Sequence, residues 1–393
     1  MPKGKTTLRV LGTSVTLIDK IRKQAQKDLN IDIEFIVRSV QDAQRIAVMQ
    51  PESYDIYDQW FHNVDFVWPA QSIQPIDIDR IDQWDLINSL PKTGRVLPSQ
   101  PLAQGSEPSG RLYVQHDGSL GSTPSKKISM LPLAHNVDSF AYNEALLPPE
   151  LQEQEESWQW LLAPQMRGKA AFQNDAAMGT IDAAIAINAS GLAKFKDPSN
   201  LALSEIDLLI YILKTKRDEG QFVEFWKDHD QSITLLKSKR SYIQSIWAPI
   251  YYRNHCNNAG YKMACPKEGY RAWCGGLSVS KCATGHKLDD VYKYLNWWLS
   301  GWPGSVIARQ GYYISNTDSV KNYLSEEEWQ FWYEGKPALK DLNGIDDQPL
   351  IPKGSIRSGG SYEQRMSNIA VWNSVMDEHN YLVRKWRELT KNE

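Results

Sequence analysis

The chain has 393 residues and 44 Lys and Arg against 47 Asp and Glu, a formal charge of −3. That length predicts two domains or lobes, and 41% hydrophobic with 23% charged residues excludes wholesale disorder. The near-balanced charge gives no basic field for a phosphate backbone, so no nucleic-acid partner is expected, and no apolar run reaches the roughly 18 residues of a membrane span.

Met1 to Lys5 lead directly into a strand-like Leu8–Leu11, without a charged-then-apolar leader. The chain is then either cytosolic or a mature form cut from its leader. Ile18–Leu29 has helical periodicity, Ile31–Ile36 alternates as a strand, Val40–Gln50 is helical and Tyr54–Tyr57 is a third strand. This alternation predicts an α/β fold, with mostly parallel sheets flanked by helices. Ligands of such sheets sit beyond the carboxyl ends of the strands. Here those ends lead into Thr13-Ser14, which also suit a helix cap, and into Gln59-Trp60-Phe61.

Pro98 to Lys127 is rich in Gly, Ser, Pro and Gln and reads as a surface excursion around a short Leu112–Val114 strand. Further on come an extended segment at Ile128–Leu133, a helix near Trp158–Leu162, a strand at Lys169–Phe172 and an apolar helix at Thr180–Ala189. Helices at Glu205–Lys216 and up to Lys237 precede a strand at Tyr242–Trp247. The tail predicts helices at Asp289–Leu299 and Tyr362–Leu389. All four cysteines cluster, at Cys256, Cys265, Cys274 and Cys282, without a zinc-like C-x-x-C pair. They suit either one or two disulfides in an oxidising compartment or buried thiols; Cys256 with Cys265 is the easier bridge, since a strand separates Cys274 from Cys282.

Five landmarks in order resemble bacterial extracellular solute-binding proteins (type II periplasmic binding proteins), in the branch that binds polyamines and its relatives that bind gamma-aminobutyrate (GABA). They are Leu131-Pro132-Leu133-Ala134-His135-Asn136 running on to Asn143, Ser157-Trp158 through Met166-Arg167-Gly168-Lys169-Ala170, and Pro266-Lys267-Glu268-Gly269 through Trp273. Tyr294-Leu295-Asn296-Trp297-Trp298-Leu299 and Gln310-Gly311-Tyr312 complete the series. The 98–127 excursion and the long tail depart from smaller members. The resemblance implies two lobes joined by crossing strands, with residues 1–136 plus 277–393 in lobe one and 137–276 in lobe two. It also implies a periplasmic monomer that takes no cofactor, closes on a small ligand and docks on the membrane permease of an ABC importer.

Carried over residue by residue, the resemblance is mixed. Of two acids that hold an ammonium in polyamine binders, the first matches Asp175 and the second is replaced by Met178. Trp273 matches a site aromatic, yet two residues on Gly275 stands where that branch has an Asp. Trp247 and Tyr312 match family aromatics, and Thr13-Ser14 replace another. A diamine in a dry cleft needs an anion at each end, because a buried unpaired ammonium costs several kcal/mol. One acid, several aromatic faces and Arg271 beside Trp273 suit a zwitterion such as GABA, with a short polyamine as the alternative. Trp60 and Phe61, with Gln59, form lobe one's wall, and His135 and Asn136 lie in the crossover.

Two other chemistries are weighed. Tyr251-Tyr252 stands where ferric-binding relatives carry tyrosine ligands, with His62 or His135 near enough in type to complete a site, although packing is the simpler reading. Asp58, Asp175, His135 and Ser14, or a thiol at Cys274, could serve an enzyme, but no nucleophile elbow, metalloprotease helix or phosphate loop supports one.

Overall fold

The computed structural model describes residues 7–255 and 260–391. They form two compact units. Unit one takes the chain up to Leu102, Glu107–Asn136 and Trp273–Ser325; unit two takes Ala103–Ser106, Val137–Ala272 and the residues from Glu326 on. In chain order the elements that position functional residues begin with β1 (Thr7–Gly12), α1 (Asp19–Leu29), β2 (Asp32–Val37), α2 (Val40–Met49) and β3 (Ile56–Trp60). The long β4 (Leu131–Asn143) starts in unit one and ends in unit two. There follow β5 (Ala170–Gln173), α3 (Met178–Ser190), α4 (Leu203–Asp218), β6 (Phe222–Trp226), α5 (His229–Lys237) and β7 (Ile243–Ile246). β8 (Tyr270–Ser280) runs from unit two into unit one, before α6 (Gly285–Leu299) and β9 (Tyr313–Ile314). β10 (Ile369–Trp372) and α7 (His379–Thr390) return to unit two.

In unit one β1 lies between β2 and β3, parallel to both, as the strand-helix alternation requires. β8 then adds antiparallel to β3, and β9 adds antiparallel to the start of β4. One face packs Leu11, Ala43, Ala47, Tyr54, Tyr57 and Val67 into a core under α2. The 98–127 excursion is more ordered than its composition suggests: Tyr113–Val114, Leu120–Gly121 and Lys127–Ile128 join Ile76–Asp77 in a small antiparallel sheet.

In unit two β5 lies between β6 and β7, parallel to both, and β7 pairs antiparallel with the second half of β4. Every residue of β4 and β8 is buried, including the polar His135, Asn136, Asp138 and Arg271, so these side chains must find their partners inside the protein. α3 is buried almost all round, and Trp158, Trp160, Phe172 and Trp386 share its core. Trp158–Leu162 is a 3-10 segment rather than an α-helix: Ser157 caps it, Pro164 follows it, and Glu268 accepts from the Ser157 hydroxyl at 2.5 Å and the Trp158 amide at 3.1 Å.

The tail departs most from expectation. The Tyr362–Leu389 stretch is a short helix (Tyr362–Ser367), then β10, then α7. Ile-Ala-Val-Trp at 369–372 has strand chemistry and pairs parallel with the start of β8. α7 buries Leu382, Trp386 and Leu389 at helical spacing, and Tyr381 and Lys385 both reach Asp207 of α4. The residues from Glu326 on therefore pack with unit two, not with the lobe expected to hold 277–393.

Candidate functional site

Unit one holds an aromatic cluster. β1 ends at Gly12, where a Cβ would meet the Asp58 carbonyl at 2.6 Å, so the chain passes close over β3. Thr13 and Ser14 then enter a turn in which the Leu17 amide donates to the Thr13 carbonyl at 3.2 Å. Thr13 is buried and Ser14 exposed, and neither caps α1, whose first residue lies beyond the turn. Along β3 successive side chains face opposite ways. Gln59, fully buried, turns to one face and accepts from the Asn63 amide at 3.0 Å, while Trp60 turns to the other. Phe61 begins a short 3-10 turn and is buried in the interior rather than lining a surface. Trp60 meets Trp273 edge to face at 4.9 Å between centroids, and Trp273 meets Tyr312 likewise at 5.0 Å. Three chain segments distant in sequence thus build one wall.

Gly275 belongs to this wall. It pairs with Trp60 across β3 and β8, and a Cβ there would lie 2.9 Å from the Trp60 ring. The acid that polyamine binders carry at this position has no room while Trp60 keeps its place. His135 on β4 is fully buried and stacks near Tyr313; burial lowers its pKa to about 4, so it is neutral. Asn136, next along, is buried, and neither atom of its side-chain amide has a hydrogen-bond partner among the described residues. Asp58 enters the sequence reading only as a candidate for acid-base chemistry. It is 4% exposed, Thr16 supplies a hydroxyl contact, and burial pushes its pKa up to about 7.

Unit two holds charged groups. Asp175, at the end of β5, accepts from the Ala177 and Met178 amides at 2.9 and 2.8 Å and so caps α3. Met178 is half-buried against the core. Trp247 is half-buried, meets Trp226 edge to face at 5.0 Å and donates its indole N–H to Gln173 Oε1 at 2.9 Å.

Arg271 stands on β8, not on a loop, and is 1% exposed. Its Nε donates to Asp182 Oδ1 at 2.6 Å, its Nη1 donates to Asn373 Oδ1 at 2.7 Å, and Asp138 Oδ2 lies 3.6 Å from Nη2. Burial works against the guanidinium charge, but Asp182, Asp138 and Asp175 outweigh it and raise its pKa. The expected carboxylate clamp is therefore an internal counter-ion. Asp182, fully buried, was missed; a lone acid within Thr180-Ile181-Asp182-Ala183-Ala184-Ile185 signals a buried cationic partner. Asn373 carried no local signal, being 102 residues from Arg271.

Tyr251 and Tyr252 are buried against each other at 5.1 Å, Tyr252 also meets Trp332, and burial raises the Tyr251 pKa, opposite to what a phenolate ligand needs. Cys265 and Cys282 are exposed free thiols; Cys274 is a buried free thiol whose pKa burial raises. Cys256, half of the expected bridge, lies outside the described residues. Among the described residues, no helix is long and apolar enough to cross a membrane.

No protein-family model matches the sequence, and no curated protein matches it at a significant level. Solved structures do match. The PotD lipoprotein of Treponema pallidum aligns over 98% of this chain and 99% of its own, with a TM-score of 0.66 at 9% identity. The spermidine/putrescine ABC transporter substrate-binding protein PotD of Streptococcus pneumoniae gives 0.64 at 12% identity, over 98% and 100%. A GABA receptor gives 0.60 at 14% identity, over 99% and 98%. Over essentially its whole length, the chain has the α/β fold of the type II solute-binding proteins of ABC transporters.

Proposed function

We propose that this protein is the solute-binding component of an ABC importer, that it captures a small amine without changing it chemically, and that it works outside the cytoplasm as a monomer delivering to a membrane permease. The observation that carries the amine reading is the cluster of Trp60, Trp273 and Tyr312, a set of rings suited to an organic cation. Unit two holds a further ring, Trp247, and an anion, Asp175.

Among amines, the reading favours a short polyamine such as putrescine over GABA. Arg271 is already paired with Asp182 and Asp138, so it is not open to a ligand carboxylate, while Asp175 has no salt-bridge partner among the described residues. That arrangement suits an ammonium better than a carboxylate. GABA would have to place its carboxylate on other donors, of which the Asn136 amide is the first candidate.

Calorimetry against putrescine, spermidine, GABA and glycine betaine tests the ranking. Tight GABA binding with none for putrescine reverses it, and no binding of any of the four removes the amine reading. Small-angle scattering should show contraction at saturation if binding is accompanied by hinge closure. A radius of gyration that stays constant would separate binding from closure.

A further inference from the structure

We infer that Trp247 is held in its binding orientation by a buried hydrogen-bond relay that ends on the C-terminal segment, and that Gln173, Asp182, Arg271 and Asn373 are positioning residues for it. This inference rests on the proposed amine-binding role of Trp247.

The relay is continuous and its polarity is consistent at each step. The Trp247 indole N–H donates to Gln173 Oε1 at 2.9 Å, and Gln173 Nε2 donates to Asp182 Oδ2 at 2.5 Å. Arg271 Nε donates to Asp182 Oδ1 at 2.6 Å, and Arg271 Nη1 donates to Asn373 Oδ1 at 2.7 Å. Gln173, Asp182 and Arg271 are at most 1% exposed, and Asn373 is 8% exposed. An indole can only donate and a carboxylate can only accept. A carboxamide, with one acceptor and one donor end, joins them directly when it is turned as Gln173 is. A glutamate at 173 would accept from the indole but face Asp182 as a second anion. The residues come from β5, α3, β8 and the segment after β10, so no single element sets the indole. The far end is fixed too, because the backbone N–H of Asn373 donates to the Ala272 carbonyl at 2.7 Å.

A ring that contributes by its face loses attraction for a cation when it rotates, so the relay sets affinity without touching the ligand. It also accounts for the lone acid inside an apolar helix: Asp182 orients the amide that orients the indole, and Arg271 pairs with it from β8.

Two readouts on the full chain test this. The first is the Trp247 indole N–H resonance in nitrogen-15 spectra, assigned by its loss in Trp247→Phe. Gln173→Met and Asn373→Leu should both move it, Gln173→Met more, and Gln173→Met should speed its exchange with solvent. A resonance that Gln173→Met leaves in place overturns the relay. The second is a double-mutant cycle with putrescine and GABA as probes. Gln173→Met or Asp182→Asn should weaken binding about tenfold in the native background, the scale of one lost buried hydrogen bond to a charged or fixed group. In a Trp247→Phe background, which keeps a ring but lacks the N–H, the same changes should cost less than about twofold. Equal losses in both backgrounds overturn the inference, since the residues would then act other than through Trp247. If the native protein binds neither amine, the proposed function fails, and the indole resonance alone decides the relay. Should Asp182→Asn not fold, Gln173→Met and Asn373→Leu carry the same cycle.

Discussion

In unit one the side chains gathered around Trp60 are rings in edge-to-face contact, and the neighbouring titratable groups, His135 and Asp58, are pushed by burial toward their neutral forms. Unit two holds an ionic group instead: Arg271 is fully buried with Asp182, beside Asp138, and Asp175 caps α3. The two resist change differently. Edge-to-face rings contribute roughly 1 kcal/mol per pair beyond their buried area and lose it one contact at a time. A buried charge either has its counter-charge or becomes a heavy penalty. Affinity that must be tuned by small steps is therefore better placed in unit one, and a fixed frame in unit two.

Removing one charge from the frame tests this contrast most severely. Arg271→Ala should destabilise unit two by about 3–5 kcal/mol, because Asp182 and Asp138 lose their counter-ion. Denaturant unfolding measures the loss. A change below about 1 kcal/mol would mean that the carboxylates had already taken up protons.

Asp58 gives the next largest effect, and in unit one. Its folded pKa, about 7, stands above the unfolded value near 3.8, so folding favours the proton. Its contribution to stability is fully present below about pH 4, is lost as pH rises through 7, and spans on the order of 4 kcal/mol. Asp58→Asn should flatten that loss and make the protein more stable than wild type at pH 8, as thermal melts across pH would show.

The Trp60–Gly275 contact is expected to cost less when broken. Gly275→Asp places a Cβ against the Trp60 ring and should destabilise by about 1–3 kcal/mol without raising putrescine affinity. Combining it with Trp60→Ser should recover stability and strengthen putrescine binding, because the acid then has space. Unchanged stability in the single variant would mean that the ring shifts freely.

The smallest effect separates two roles of one residue. Asp175→Ala should lose about 1 kcal/mol of stability with the α3 cap, whereas Asp175→Asn can still accept from the Ala177 and Met178 amides. If Asp175 also pairs with an ammonium, Asp175→Asn should lower putrescine affinity with little change in melting temperature. Equal affinity for wild type and Asp175→Asn would leave it a cap alone.

These contrasts differ in how far the sequence reveals them. β1 through β3 are legible because their period changes cleanly from 2 to 3.6 and back. α3 is legible as an apolar run. Trp158–Leu162 has helical composition, but Glu268, over a hundred residues away, claims the Ser157 hydroxyl and Trp158 amide and fixes a tighter turn. Trp273 and Tyr312 can be placed by motif, yet that Trp60 fills the space above Gly275 depends on strand register, which no local pattern encodes. Arg271 beside Trp273 suggested a ligand clamp because its neighbours in sequence are visible and its neighbours in space, Asp182 and Asn373, are not.

The return of the chain to unit two bears on how the protein is made. By the time a ribosome has added Ser325, every segment of unit one exists, and its sheet and core can close. Unit two is still short of β10, which pairs with the start of β8, and of α7, whose Trp386 packs over Gly179 at the first turn of α3. Until those residues emerge, the apolar faces of α3 and α4 wait uncovered, although their own sequence was translated long before. Truncations or premature stops within the tail should therefore yield chains in which unit one is native and unit two is exposed to chaperones and proteases.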